Sequence, residues 1–454
     1  MMWIALAVSL FVPIRGVAAP GLTGAGQAVA LTSPIGGESW AVGSRHVLSW
    51  DPGGLPVGAT VSLSASTDDG ETWTAISDAP AEAGSIPWEI PDTVSEACRI
   101  RVTTGDRNSQ ASLSERFNIV PSRAVPDYRW VNVTNRAAFA PRDGAGALVH
   151  RGRMWLVGGW NPGDKAHFPR ICNNEVWSTA DGVDWVLEKP NTFLDDTFDP
   201  RSDWEGRHTA GYVVHRGRMW LVGGDVNQGH YQPDVWNSAD GRSWTLVNPD
   251  EPVPWGPRAL HHTVAFKDKI WVLGGQTMPG FAPSEEVFYR DVWNSSDGLR
   301  WTRLEPEEPC WSPRGMIGGA AVFRDRIWIL GGGTYDTPTT PSRRFFNDVW
   351  SSPDGVRWER HVARAPWAPR QYHEVAAFDG RLWVLEGYSG ENRNDAWYSD
   401  DGVNWYEVPE TPWKPRHAAS VFVFDEALWM VAGNNMESDV WKLVRTGASA
   451  DPAP

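Results

Sequence analysis

The sequence predicts an all-β chain in which a β-sandwich is followed by a six-bladed β-propeller. Three observations carry this. A phrase of the form apolar-Trp-apolar-apolar-x-Gly, with Gly-Gly in four copies, recurs six times, centred on Trp155, Trp220, Trp271, Trp328, Trp383 and Trp429. An arginine precedes each copy, at Arg142, Arg207, Arg258, Arg314, Arg370 and Arg416, by 13 residues in five copies and 14 in the fourth. After each glycine phrase comes an Asp-Val-Trp-like strand, and then, in five copies, an Asp-Gly-x-x-Trp turn ending at Trp185, Trp244, Trp301, Trp358 or Trp405. Fixed spacing within strand pairs and variable spacing after the glycines is the signature of a radial array of small sheets.

The elements follow in order. Trp3 to Val12 is an apolar run too short to span a bilayer as a relaxed helix. Small residues follow at Val17-Ala18-Ala19, so residues 1–19 read as a signal peptide of a secreted, periplasmic or cell-surface protein, the alternative being an uncleaved anchor. Residues 31–120 form a separate unit. His46 to Trp50, Thr60 to Ala65 and Cys98 to Val102 alternate as half-buried strands between Gly, Pro and Asp clusters. Short strands in such a segment suggest an immunoglobulin- or fibronectin-like sandwich. Residues 121–127 are a linker stiffened by two prolines.

The propeller is placed at residues 128–445. Its sixth copy lacks the outer-strand Trp. Tyr128-Arg-Trp-Val-Asn-Val133 carries a Trp of that kind at Trp130, so this strand is expected to complete the last blade and close the ring.

Composition bounds the function. A formal net charge of −15 argues against a nucleic-acid partner, whose phosphates draw affinity from Lys and Arg. The three cysteines, Cys98, Cys172 and Cys310, are scattered, with neither metal-ligand spacing nor a disulfide framework. No metal and no cofactor are expected, no membrane span remains after signal cleavage, and the chain is expected to be a monomer. The 29 tryptophans need a repeated structural role, and packing between blades supplies one. For the set three residues before the repeated Arg (Trp204, Trp255, Trp311, Trp367 and Trp413), stacking on a sugar is the alternative.

The Gly-Gly pair followed by a spaced aromatic resembles the kelch repeat of the galactose oxidase/kelch superfamily, and the Ser-x-x-Asp-Gly-x-x-Trp turns resemble the Asp boxes of sialidases. The resemblance implies a kelch-type propeller and leaves function open, since such propellers include binders, adaptors and enzymes. Among enzymes it allows a sialic-acid mutarotase-like or a sialidase-like protein. A copper-radical oxidase is a further possibility, because Tyr372-His373 is similar to the adjacent Tyr-His ligand pair of galactose oxidase. That family, however, draws another His from a domain after the propeller and needs a Cys-Tyr crosslink, for which only Cys172 is available.

Alternation of connections in a four-stranded blade puts the arginines and the post-glycine loops at one end of the propeller, and the Asp-Gly turns at the other. Six guanidinium groups then ring one mouth of the central channel, where their planar donor forks suit a carboxylate. The candidate ligand-binding residues are Arg207, His208, His261, Arg314, Arg370, Tyr372, His373, Glu386 and Arg416. Copy five departs most from the repeat, with Glu386 in place of the first Gly and Glu374 closing the run Arg370-Gln-Tyr-His-Glu. The expected partner is a glycan, an acidic small ligand or a protein surface, bound without catalysis; the alternative is carbohydrate-active catalysis.

Overall fold

The computed structural model describes residues 29–105, 111–122, 127–226, 230–277, 287–315, 318–334 and 343–446. The expected signal peptide and most of the expected linker lie outside the described residues. Among the described residues no helix is long and apolar enough to cross a membrane.

The repeats fold as small antiparallel sheets. The first comprises Gly146–His150, Arg153–Val157, Val176–Thr179 and Val186–Lys189. The next four begin with inner strands Gly211–His215, His262–Phe266, Ala320–Phe323 and Glu374–Phe378, and the last with Ser420–Phe424. Each inner strand lies against that of the next sheet, and the sixth lies against the first. The sheets are therefore the blades of a closed ring. The sixth is completed by Tyr128–Thr134, which pairs antiparallel with Val440–Arg445 in the register Trp130↔Leu443.

Tryptophan accounts for the packing between and within blades. The second-strand indoles Trp155, Trp220, Trp271 and Trp328 lie on the Asp-Gly turn of the following blade, and Trp429 lies on the turn of the first. A Cβ at Gly182, Gly241, Gly298, Gly355 or Gly402 would fall inside those rings, and these glycines also hold φ of +73° to +79°. Tyr128 covers Trp383 in the same way, with centroids 4.8 Å apart.

The aromatics three residues before each Arg are fully buried and meet the outer-strand indoles edge-on at 5.0–6.0 Å, as in Phe139–Trp185, Trp204–Trp244 and Trp367–Trp405. In the sixth blade the same contact joins Trp413 to Trp130 at 5.7 Å. These rings are not available to stack on a sugar.

The N-terminal residues form two further groups of strands. Arg45–Asp51 pairs with Ala30–Ser33 and with Ser85–Glu89. The second group contains Ser39–Ala41, Phe117–Val120, Ser95–Thr104, Thr60–Ser66 and Thr74–Pro80. Between them lies one core containing Trp40, Leu48, Trp50, Leu63, Ile100 and Phe117. This unit rests on the turn of the fifth blade. Asn404 Oδ1 accepts the Ala41 N–H at 2.8 Å and the His46 Nε2–H at 3.2 Å, and Arg45 pairs with Glu407.

Candidate functional site: the central channel

The arginine ring is structural, which corrects the expectation that it faces a ligand. Arg207, Arg314, Arg370 and Arg416, like Arg142 and Arg258, are at most 1% exposed. In every copy Nη1 donates to the carbonyl of the residue at the first glycine position, at 2.7–3.1 Å. Each guanidinium also pairs at 2.5–2.7 Å with a carboxylate: Glu175, Asp234, Asp291, Asp348, Asp395 or Asp439. The same carboxylate accepts the indole N–H of the Trp two residues later, at 2.7–2.9 Å. Each Arg thus ties its own blade together, and its charge is cancelled within the blade. The signal was in the sequence: an acid stands two residues before that Trp in all six copies.

Two of the expected histidines are likewise structural. His261 Nε2–H donates to Val222 O at 3.0 Å and His373 Nε2–H to Leu330 O at 2.8 Å, each reaching the second strand of the preceding blade. Burial and the adjacent arginine lower both to about 3, so both rings are neutral. With Nε2 protonated, each Nδ1 is a bare acceptor, and neither has a partner. Tyr372 and His373 therefore share no metal site, because His373 faces the blade interface while the Tyr372 ring leans on His417 at 5.0 Å. Among the described residues no group of three or more His, Cys, Asp and Glu could hold a metal ion.

The residue two after Arg142, Arg207, Arg258, Arg370 and Arg416 forms a collar around the channel. Gly144, Thr209, Leu260, Tyr372 and Ala418 all have φ between +52° and +58°. Their backbones are linked from blade to blade. Ala418 N–H donates to Tyr372 O (2.8 Å), Gly144 to Ala418 (2.9 Å), Thr209 to Gly144 (3.0 Å) and Leu260 to Thr209 (3.2 Å). Four non-glycine residues held in this conformation store about 1 kcal/mol or more each, and such strain gathers where a structure must fix a site. Tyr372 also packs on Tyr231 and Leu260, which narrows this end.

His208 stands beside the collar. It stacks on Trp160 with centroids 6.0 Å apart and has Nδ1 3.5 Å from Cys172 Sγ. Burial works against its cation, but Cys172, Asp225 and Asp143 together hold it up to about 10.

Next to the collar is a cavity of about 220 Å³ lined by residues from all six blades. Its polar side chains are Thr209, Tyr212, His261, His262, Thr263 and Glu374. Thr209 Oγ1, Tyr212 Oη, Thr263 Oγ1, His261 Nδ1 and His262 Nε2 are buried without hydrogen-bond partners. Buried polar atoms are normally satisfied, so a cluster of such atoms around one void is a place where water or the polar groups of a ligand can bind. Glu374 stands where three blades have Gly146, Gly211 and Gly319, and a Cβ at Gly318 would come within 2.5 Å of its carboxylate. The residue is partly open to the channel, and partial burial raises its carboxyl to about 8.

Glu386 lies behind this wall, fully buried. Its Oε1 accepts the Ala419 N–H at 3.3 Å and its Oε2 has no partner. Burial, reinforced by Glu374, pushes it well above the carboxylate range. Further along the inner strands the channel-facing positions are Val149, Val214, Ala265, Val322, Ala377 and Val423, so the channel turns apolar toward the Asp-Gly face.

Of the candidate residues named from the sequence, only His261 lines this cavity; Glu386 and His373 stand behind it, and His208 and Tyr372 lie at the collar. Tyr212, His262, Thr263 and Glu374 were not among them. The available signal was positional: each is a polar departure near the start of an inner strand that elsewhere carries mostly Gly, Ala or Val, with Ser420 in the last blade.

The blades, their Gly-Gly strands and this central channel define a kelch-type β-propeller. No family model matches the chain. Among curated proteins it is similar to kelch repeat protein M-T8 of Myxoma virus (strain Lausanne), 24% identical over 249 residues, covering 53% of this chain and 41% of that protein. It is also similar to the kelch repeat and BTB domain-containing protein 12 of Danio rerio, 29% identical over 194 residues, covering 39% of this chain and 29% of that protein. The chain thus spans less than half the length of these relatives. Among solved structures, that of YjhT aligns with 68% of this chain and 93% of its own, with 14% identity and a TM-score of 0.45.

Proposed function

We propose that this chain is a six-bladed kelch-type binding propeller, residues 128–445, that takes a small hydroxylated ligand, a single glycan residue, into its central channel. An immunoglobulin-like module (31–120) and a short linker (121–127) precede it. Export belongs to the same proposal, on the apolar run and the small residues that follow it. The observation that carries the binding reading is the unpartnered hydrogen-bonding set around one cavity, the hydroxyls of Thr209, Tyr212 and Thr263 and the imidazoles of His261 and His262, with the Glu374 carboxyl in the same wall. A sugar ring presents hydroxyls that both donate and accept, which such a set can match. At ~30 Å³ per water the void holds roughly seven waters, the scale of one pyranose and not of a chain. An acidic ligand bound by the arginine ring is disfavoured, since those donors are already used.

One observation favours a second reading, catalysis on a sugar. Glu374, held at about 8, keeps a proton at neutral pH and could act as a general acid. Proton NMR of freshly dissolved glucose with the protein tests it through accelerated anomer exchange.

The binding reading is tested by filling the channel. Ala320 lines the cavity, and Ala320→Phe should abolish binding of whatever monosaccharide a glycan panel identifies, while Tm stays within a few degrees of the parent. Unchanged binding by that variant would place the ligand elsewhere.

A further inference from the structure

We infer that the ligand of this channel carries a primary ammonium group: the site fits an amino sugar better than a neutral sugar and rejects a sugar acid. The inference rests on the reading of the channel as a monosaccharide site and specifies which class enters. It follows from what faces the void. Among the described lining residues there is one carboxyl, Glu374, and no Lys or Arg. The nearby ring arginines are each matched by a carboxylate of their own blade. A second carboxyl, Glu386, lies behind the wall with Oε2 unpartnered.

Hydrogen-bonding capacity points the same way. His261 has its one N–H committed to Val222 O, so its free Nδ1 can only accept. The hydroxyls of Tyr212 and Thr263 can accept as well as donate. The wall can therefore present acceptors at His261, Tyr212, Thr263 and an ionised Glu374, and no Lys or Arg stands among them. An ammonium group offers three donors and no acceptor, which complements that wall. A ligand carboxylate would give up its water and find no Lys or Arg in the wall to replace it, at a cost in desolvation.

Proton linkage gives an independent readout. Burial holds the Glu374 carboxyl up at about 8, so it is mostly protonated at pH 7 in the empty protein. A cation placed beside it favours the ionised form, so binding an ammonium at pH 7 should release close to one proton, whereas binding a neutral sugar should release none.

The test is titration calorimetry of the full chain with glucosamine, glucose and glucuronate at pH 7, repeated in two buffers of different ionisation enthalpy. The expected result is glucosamine at least tenfold tighter than glucose, no binding of glucuronate, and proton release with glucosamine alone. Glu374→Gln should remove both the glucosamine advantage and the proton release. Equal affinity for glucosamine and glucose, or preference for glucuronate, overturns the inference and leaves the channel reading standing. Failure of all three to bind overturns the channel reading itself. The comparison among ligands uses the parent protein, so it does not depend on the variant folding.

Discussion

Deleting Tyr128–Thr134 is expected to abolish the folded monomer. This strand comes from the start of the propeller sequence, yet it supplies the outer strand of the last blade, paired along its length with Val440–Arg445. Trp130 buries its ring against Trp413, and Tyr128 covers Trp383 while its hydroxyl donates to Asp379 Oδ2 at 2.6 Å. Without the strand, Val440–Arg445 becomes an open edge, a template for pairing with another chain, and two indoles lose their cover. The deleted protein should elute as aggregate and give no cooperative melt. The milder Trp130→Ala should cost about 3–5 kcal/mol, the range for truncating a large buried aromatic. A monomeric deletion variant with an unchanged Tm would show that the ring closes in another way.

Arg416→Ala should be nearly as damaging, and for a reason that reverses what the sequence suggested. The Arg416 side chain is 0% exposed and that of its partner Asp439 only 4%. Hydrogen bonds to Arg416 and Trp441 keep Asp439 ionised, against burial. Removing the guanidinium leaves that carboxylate buried without its cation and leaves the Ala432 carbonyl without its donor. Breaking a buried pair from one side typically costs about 3–5 kcal/mol. Adding Asp439→Asn should recover part of the loss, because the amide oxygen can still accept the Trp441 N–H and no orphan charge remains. Chemical denaturation of the single and double variants measures the coupling. If Arg416→Ala keeps the parent's stability but loses ligand, the arginines face the site after all.

The repeated part of the fold was legible because propeller repeats are periodic in sequence as well as in space. The Trp phrases marked the second strands, the Asp-Gly-x-x-Trp turns marked the outer hairpins, and the missing sixth turn identified Trp130 as its substitute. The site was less legible, because a repeated residue and a functional residue look alike in one sequence. Six arginines at constant spacing resemble a ligand-binding ring as easily as a blade clamp. What decides is the carboxylate partner, which lies 23 to 34 residues away in the chain and meets the guanidinium only when the third strand pairs with the second. The channel wall shows the opposite case. Glu374, His262 and Tyr212 break the repeat at single positions, and their convergence needs the ring to close before the positions become neighbours.

The direct measurement is the titration of Glu374, since the proposed chemistry lies in the central channel with a protonated acid in its wall. Its side-chain carboxyl carbon can be followed by NMR in 13C-labelled full chain, with the resonance assigned by its loss in Glu374→Gln. The expected midpoint is about 8, against an ordinary value of 4.5. Because the folded-state value is raised, the parent binds this proton more tightly when folded than when unfolded. The stability contributed by the protonated form is complete below pH 4.5 and is lost progressively as pH rises toward 8. Glu374→Gln should therefore gain on the parent over that window, by about 1–2 kcal/mol once water in the channel is allowed for. A midpoint near 4.5, with no pH-dependent difference between parent and variant, would mean that the carboxyl stands in open solvent, and the channel would not be the site described here.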